Sequence, residues 1–254
     1  PDSYVGRKHE LKYTPVKECA LKHNIPVFQP EKVRKETDEI LKYNPDIIIT
    51  CAYGQIIPSV LLDTPKYKAV NVHASLLPKL RGGSPLHRCI IDGYSETGVT
   101  IMYMAPGMDD GDIITQKSIK IEDTDNVGTI HDKLSILGRD LLLETLPSIF
   151  NGTNGRTRQD ENEVTFAYNI KREEEKLDFN EKAREVFNHI RGMYPFPVSY
   201  TTLNGEIIKI CESKIGTKTS GTVGEIISIY DNGIGVKCSD TEIIITKLKP
   251  SGKK

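Results

Sequence analysis

Short apolar runs alternate with amphipathic stretches through the first half of the chain. A helix is predicted near Pro15–His23, followed by the extended Pro26–Pro30 segment and a second helix over Val33–Tyr43. Asp46–Thr50 (D-I-I-I-T) is β-branched, too short for a helix and without polar alternation, which is how a strand covered on both faces reads. Ala69–His73 and Val99–Met104 predict two more strands, with a proline-initiated helix over Pro85–Asp92 between them. From Val127 to Phe150 apolar residues recur three and four apart at Val127, Ile130, Leu134, Leu137 and Leu141, and Asn151-Gly152 ends the run. This long helix is expected to cover the sheet. The order of elements defines an α/β unit with a Rossmann-like, doubly wound, mostly parallel sheet.

The pattern then changes. Residues 152–165 are polar, Gly- and Asn-rich and without a period, and read as a linker. Asn180 is placed to cap a short helix carrying Ala183, Val186, Phe187 and Ile190 on one face. Five β-rich runs follow, 198–203, 206–211, 222–229, 234–238 and 242–248, punctuated by Asn204-Gly205 and Asp231-Asn232-Gly233, which favour hairpins. So many short strands in so little chain point to a small OB-like β-barrel. The expected organisation is a catalytic domain over 1–154, a linker over 155–170 and a C-terminal barrel domain over 171–254.

Composition narrows the possibilities. The 254 residues carry a net charge of −1, which excludes a generally basic nucleic-acid binder, so a polyanionic partner would have to be held by a local patch. No apolar run approaches the roughly 18 residues of a membrane span, and the start of the chain lacks the pattern of a signal peptide. Five scattered cysteines, Cys19, Cys51, Cys89, Cys211 and Cys238, form no C-x-x-C pair, so reduced thiols and a cytoplasmic location are expected.

Two stretches carry candidate chemistry. In Asn71-Val72-His73-Ala74-Ser75-Leu76-Leu77-Pro78, Asn71 and His73 point to one side at the carboxyl end of a strand, where open α/β sheets place their sites. An isolated strand histidine is more often a core residue; here the surrounding motif, continuing to Arg81-Gly82-Gly83-Ser84-Pro85, argues for function. Gly107-Met108-Asp109-Asp110-Gly111-Asp112 sets three carboxylates just after a strand. Taken alone it reads as a solvated turn, and its spacing lacks the ligand pattern of a calcium loop, so no metal is expected.

These motifs resemble the folate-dependent formyltransferases. The resemblance is carried by N-V-H-A-S-L-L-P, R-G-G-S-P, E-T-G-V-T-I-M from Glu96 and M-D-D-G-D-I, together with I-P-V-F-Q-P from Ile25 and A-Y-G-Q-I-I-P from Ala52. Y-P-F-P from Tyr194 and the closing L-K-P-S-G-K-K extend it over nearly the whole chain. It implies formyl transfer from 10-formyltetrahydrofolate to an amine, with Asn71, His73 and Asp109 as catalytic residues and Thr100 as a strand residue supporting them. Folate-binding positions implied are Tyr53, Gly54, Gln55, Ile56 and Ile57 in one loop, and Ser75, Leu76, Leu77 and Pro78 in another. Asn71 and a protonated His73 would donate to the developing alkoxide, and Asp109 would orient the ring and help protons leave the amine.

Such trios serve several acceptors, so the acceptor is inferred from the rest of the chain. The C-terminal motifs and the Gly6-Arg7-Lys8 turn are similar to those of members that formylate initiator methionyl-tRNA, for which Arg7, Lys8, Lys12, Lys247 and Lys249 are candidate tRNA contacts. An amino-sugar N-formyltransferase on the same scaffold is the first alternative, and a tRNA-binding module without activity the second. Family members open with a βα unit that is absent before Pro1. A monomer without membrane association is expected.

Overall fold

The computed structural model describes residues 3–5 and 10–250. A hairpin of β1 (Ser3–Val5) and β2 (Glu10–Lys12) precedes α1 (Pro15–Lys22), whose N-terminus is capped by Thr14 Oγ1 accepting from the Lys17 amide at 3.3 Å. The basic turn with Arg7 and Lys8 lies outside the described residues. The helix expected over Val33–Tyr43 resolves into a 3-10 turn at Val33–Lys35 and α2 (Thr37–Leu41). The break falls at Glu36, whose φ of −129° and ψ of 30° leave the helical region, while buried Val33 donates its amide to Gln55 Oε1 at 3.0 Å.

The next elements are β3 (Ile48–Thr50), α3 (Ser59–Asp63), β4 (Ala69–His73), α4 (Pro85–Ile91), β5 (Glu96–Tyr103) and β6 (Ile113–Lys120). They build a four-stranded sheet in the order β3-β4-β5-β6. The α/β class is as expected from the pattern, but strand sense differs. Only β3 and β4 run parallel, whereas β5 is antiparallel to β4 and β6 to β5. A parallel crossover must carry the chain back along the sheet. Residues 104–112, between β5 and β6, form no helix that could return the chain.

Helix α5 (Val127–Asn151) covers this sheet. Asn126 and Thr129 exchange capping hydrogen bonds at its start, and Gly152 ends it in the left-handed region at φ 68°. Ile130, Leu134 and Leu141 are buried against Val99 and Ile101, and Gly138 brings the helix so near that a Cβ there would lie 3.1 Å from Val72 Cγ1.

In the C-terminal half, α6 (Ala183–Met193) precedes five antiparallel strands: β7 (Tyr200–Leu203), β8 (Glu206–Ile215), β9 (Ile226–Tyr230), β10 (Gly233–Lys237) and β11 (Glu242–Pro250). Asn180 does not cap α6. The helix starts at Ala183, whose amide donates to Asp240 Oδ1 at 2.8 Å, a cap supplied from the β10–β11 turn. The strand order is β7-β8-β11-β10-β9, and among the described residues β7 and β9 do not pair, so the expected barrel stays an open sheet. Closure comes from α6 instead, whose Val186 and Ile190 pack with Ile210, Ile243 and Ile245.

Two features tie the halves together. Residues 155–167, read from sequence as part of a linker, hydrogen-bond along the N-terminal half: Thr157 exchanges both backbone bonds with Ile113, and Ala167 accepts from Ser84 and donates to the Arg81 carbonyl. Helices α4 and α6 pack so tightly that a Cβ on Gly192 would sit 2.5 Å from Ile91 Cγ1. Arg88 pairs with Glu174 across this seam, and Arg191 Nη1 donates to the carbonyls of Glu122 and Asp125 at 2.9 and 3.1 Å.

Candidate active site

Strand β4 ends at His73, and the parallel pairing Thr50↔Asn71 sets the carboxyl end of β3 beside it. The loops leaving these two strands, 51–57 and 74–78, therefore start side by side at the carboxyl end of the sheet, the usual location of a site in an open α/β sheet. Thr50 is buried, and its hydroxyl donates to Asn71 Oδ1 at 2.9 Å. With its oxygen engaged, the Asn71 carboxamide presents Nδ2 as the end available to an incoming acceptor.

His73 is buried, with an acceptor before each ring nitrogen. Nε2 lies 3.1 Å from the Leu80 carbonyl, which can only accept, so this nitrogen carries a proton. Nδ1 faces Asp109 Oδ2 at 3.6 Å, beyond a formed hydrogen bond but within ion-pair distance. The structure thus brings the histidine and aspartate of the predicted trio together. It directs the ring differently from the sequence-based expectation, since neither N–H is aimed to join Asn71 in meeting an alkoxide.

Asp109 sits at φ 50°, a left-handed conformation that aspartate tolerates better than most residues. Its Oδ2 also accepts from the Gly82 amide at 2.9 Å, which ties the loop to the R-G-G-S-P segment. Gly82 has φ 120°, and a Cβ there would stand 2.8 Å from the Ala167 carbonyl, so only glycine lets this amide approach. Asp110 is exposed, and Asp112 pairs with Arg156 at 3.0 Å. Among the described residues no His, Cys, Asp and Glu side chains gather as a metal-binding group.

Thr100 stands opposite His73 in the β4–β5 register and is fully buried. Its hydroxyl donates to the Ser75 carbonyl at 2.6 Å and accepts from the Leu77 amide at 3.2 Å, while Gln116 Nε2 donates to Leu77 O and Thr100 Oγ1, both at 2.8 Å. Ser75 Oγ closes the turn onto the Lys79 carbonyl at 2.7 Å. The segment Ser75, Leu76, Leu77, Pro78 is therefore fixed. The loop of Tyr53, Gly54, Gln55, Ile56 and Ile57 is open, with Tyr53 43% and Ile56 88% exposed.

The candidate polyanion contacts are dispersed. Lys12 is exposed at the end of β2. Lys247 and Lys249 are exposed on β11, but Lys247 Nζ already bonds Glu212 Oε1 at 2.7 Å and Tyr194 Oη at 3.3 Å. Glu212 foremost holds that ammonium above its ordinary pKa. Lys209 lies opposite Lys249 in the β8–β11 register and was not singled out from sequence, because cross-strand neighbours leave no local pattern. Thr50 and Gln159 escaped sequence reasoning because their partners are distant in the chain, and Gly82 was read only as part of R-G-G-S-P.

The comparison with known proteins follows this division of the chain. The family model for formyl transferase matches residues 1–146 and that for the formyl transferase C-terminal domain matches residues 169–254, so the chain belongs to the formyl transferase family. The methionyl-tRNA formyltransferase of Bacillus subtilis (strain 168) is 50% identical over all of this chain and 81% of its own length. That of Staphylococcus aureus (strain MW2) is 54% identical over 85% of this chain and 70% of its own. Within the family, the chain falls with the methionyl-tRNA formyltransferases. Among solved structures, the sugar 3N-formyl transferase WlaRD, determined with dTDP and 5-N-formyl-THF, superposes with a TM-score of 0.70 at 21% identity, over 94% of this chain and 82% of its own. HypX from Aquifex aeolicus in complex with tetrahydrofolic acid gives 0.68 at 19%, over 87% and 39%. At these identities the likeness is one of fold.

Proposed function

We propose that this chain transfers the formyl group of 10-formyltetrahydrofolate to the amino group of initiator methionyl-tRNA, releasing tetrahydrofolate and N-formylmethionyl-tRNA for translation initiation. The observation that carries the chemistry is the His73–Asp109 approach of 3.6 Å beside an asparagine whose amide is oriented by Thr50. The identity of 50% to a methionyl-tRNA formyltransferase over the whole chain carries the choice of acceptor. The loops 53–57 and 75–78 would hold the folate donor.

When the amine attacks the formyl carbon, negative charge develops on the formyl oxygen, and Asn71 Nδ2 donates to it. A donor preorganised in this way lowers the barrier by roughly 3–4 kcal/mol. The attacking nitrogen must lose a proton, and the Asp109–His73 pair receives it. The doubly protonated ring then finds an acceptor at each nitrogen, Leu80 O and Asp109 Oδ2. Collapse breaks the bond to the folate nitrogen, which takes as it leaves the proton held by the His73–Asp109 pair and so restores the pair. Arg7, Lys8, Lys12, Lys247 and Lys249 are proposed as tRNA phosphate contacts, with the protein acting as a cytoplasmic monomer.

Incubating the full-length enzyme with 10-formyltetrahydrofolate and either charged initiator tRNA or a nucleotide-linked amino sugar tests the reading. Formylation of the aminoacyl-tRNA supports it. Formylation of the sugar alone transfers the chain to the alternative acceptor class, and tRNA binding without turnover of either leaves a binding module.

A further inference from the structure

Gln159 lies in the segment between the two halves, far in sequence from the trio, yet it is buried with only 4% of its surface exposed. Its Nε2 donates to two main-chain carbonyls of the aspartate loop, Asp109 O and Gly111 O, each at 2.8 Å. Its Oε1 accepts from Arg81 Nε at 3.0 Å, which fixes which end of the amide faces the loop. Arg81, also 4% exposed, is held in turn by Glu161 at 3.0 Å. The residue after Arg81 is Gly82, whose amide binds the Asp109 carboxylate. Main chain and side chain of Asp109 are thus gripped from the same two neighbouring residues, one directly and one through Gln159.

We propose that Gln159 is a positioning residue for formyl transfer, setting the height of the Asp109 carboxylate against His73. The inference rests on the catalytic role given to Asp109 above. Left-handed backbone at a non-glycine residue persists where surrounding contacts over-determine it. The Gln159 amide is such a contact, because two carbonyls converging on one NH₂ leave the loop a single position. Without it the loop keeps the Gly82 bond but loses the partner of both carbonyls. A displacement of the carboxylate by about 1 Å is enough to cost on the order of 10²-fold in rate.

The test uses the full-length enzyme with Gln159→Met, which keeps the volume but donates nothing, and Gln159→Glu, which keeps an acceptor for Arg81 but turns a carboxylate on both loop carbonyls. Both variants are expected to lower kcat by 10- to 100-fold, with KM for donor and acceptor within threefold of the parent and the circular dichroism spectrum unchanged. In an Asp109→Asn background the same substitutions should lower the residual kcat by less than threefold, since the group being positioned is already lost. An unchanged kcat in Gln159→Met, or an equal further loss in the Asp109→Asn background, overturns the proposal. Full turnover by Asp109→Asn itself would instead refute the role of Asp109 and leave the two failures distinguishable.

Discussion

Thr50 Oγ1 donates to Asn71 Oδ1 at 2.9 Å across the parallel β3–β4 pairing. With Oδ1 taken by this bond, Nδ2 is the end of the asparagine amide left to donate. Removing the amide in Asn71→Ala is expected to lower kcat by about 10²- to 10³-fold. Removing only its orienting partner in Thr50→Val, nearly isosteric, should cost about 10-fold, because the amide retains its donor but can rotate. Steady-state kinetics with saturating donor check both. Equal losses in the two variants would mean that Thr50 does more than orient.

His73→Ala should lower kcat by roughly 10²- to 10⁴-fold while changing KM for the folate donor little, since the ring points to Leu80 O and Asp109 and not toward the loop 53–57. Measuring kcat and KM separately decides this. A rise in KM with kcat preserved would move His73 from chemistry to binding.

Cys89 and Cys238 are both fully buried, and burial pushes each thiol up from 9.0 to about 11. A raised folded-state value means that the unfolded chain ionises first as pH rises. The stability linked to these thiols is therefore complete below pH 9 and lost as pH climbs through 11, by about 2–3 kcal/mol for each thiol. Urea midpoints at pH 8 and pH 11 should show a smaller alkaline loss in a Cys89→Ala, Cys238→Ala variant than in the parent. Equal losses would place the alkaline sensitivity elsewhere.

Glu242 is completely buried in the C-terminal sheet. Burial pushes its carboxyl up, but Ser228, Tyr230 and the amides of Lys218 and Thr217 more than offset this, so the value falls below the ordinary 4.5. Its contribution is present above pH 4.5 and disappears as pH drops through the lowered value. Glu242→Gln should flatten the acid side of the stability curve and lower thermal stability at neutral pH, where two hydroxyl donors lose a charged acceptor. Thermal melts from pH 3 to pH 7 test it, and a parallel curve for the variant would sink the idea.

Gly192→Ala should destabilise the seam between α4 and α6 by about 1–3 kcal/mol, because the added methyl meets Ile91 Cγ1 at 2.5 Å and the Ile91 amide at 3.2 Å. Ile91→Ala removes the nearer obstacle, so the double variant should recover part of the loss in urea denaturation. If Gly192→Ala alone is neutral, the helices have room that their spacing denies.

The fold class was legible because it is written locally, as is the Asn71–His73 alternation, whereas Asp109, in a loop that alone reads as a solvated turn, entered the candidate site only through the resemblance. D-I-I-I-T, the three-and-four spacing of α5 and the Asn71–His73 alternation all lie within a few residues. Features set by distant contacts were not. The antiparallel sense of β5 is set by its pairing with β4 across the whole of residues 74–95, the cap of α6 comes from Asp240, and the sheet of the second half is closed by α6. At the site, the same limit applied to direction: Asn71, His73 and Asp109 could be picked out, but not that His73 Nε2 would be taken by Leu80 O.

Where the molecule could be cut in two follows from the course of residues 155–167. A boundary drawn at Asn154, where the composition changes, would strip the N-terminal half of Thr157, Gln159, Thr165 and Ala167, and with them the bonds to Ile113, Leu80, Arg81 and Ser84. A separable catalytic fragment must extend past Ala167, and limited proteolysis on the amino side of Thr157 should release pieces that still co-purify.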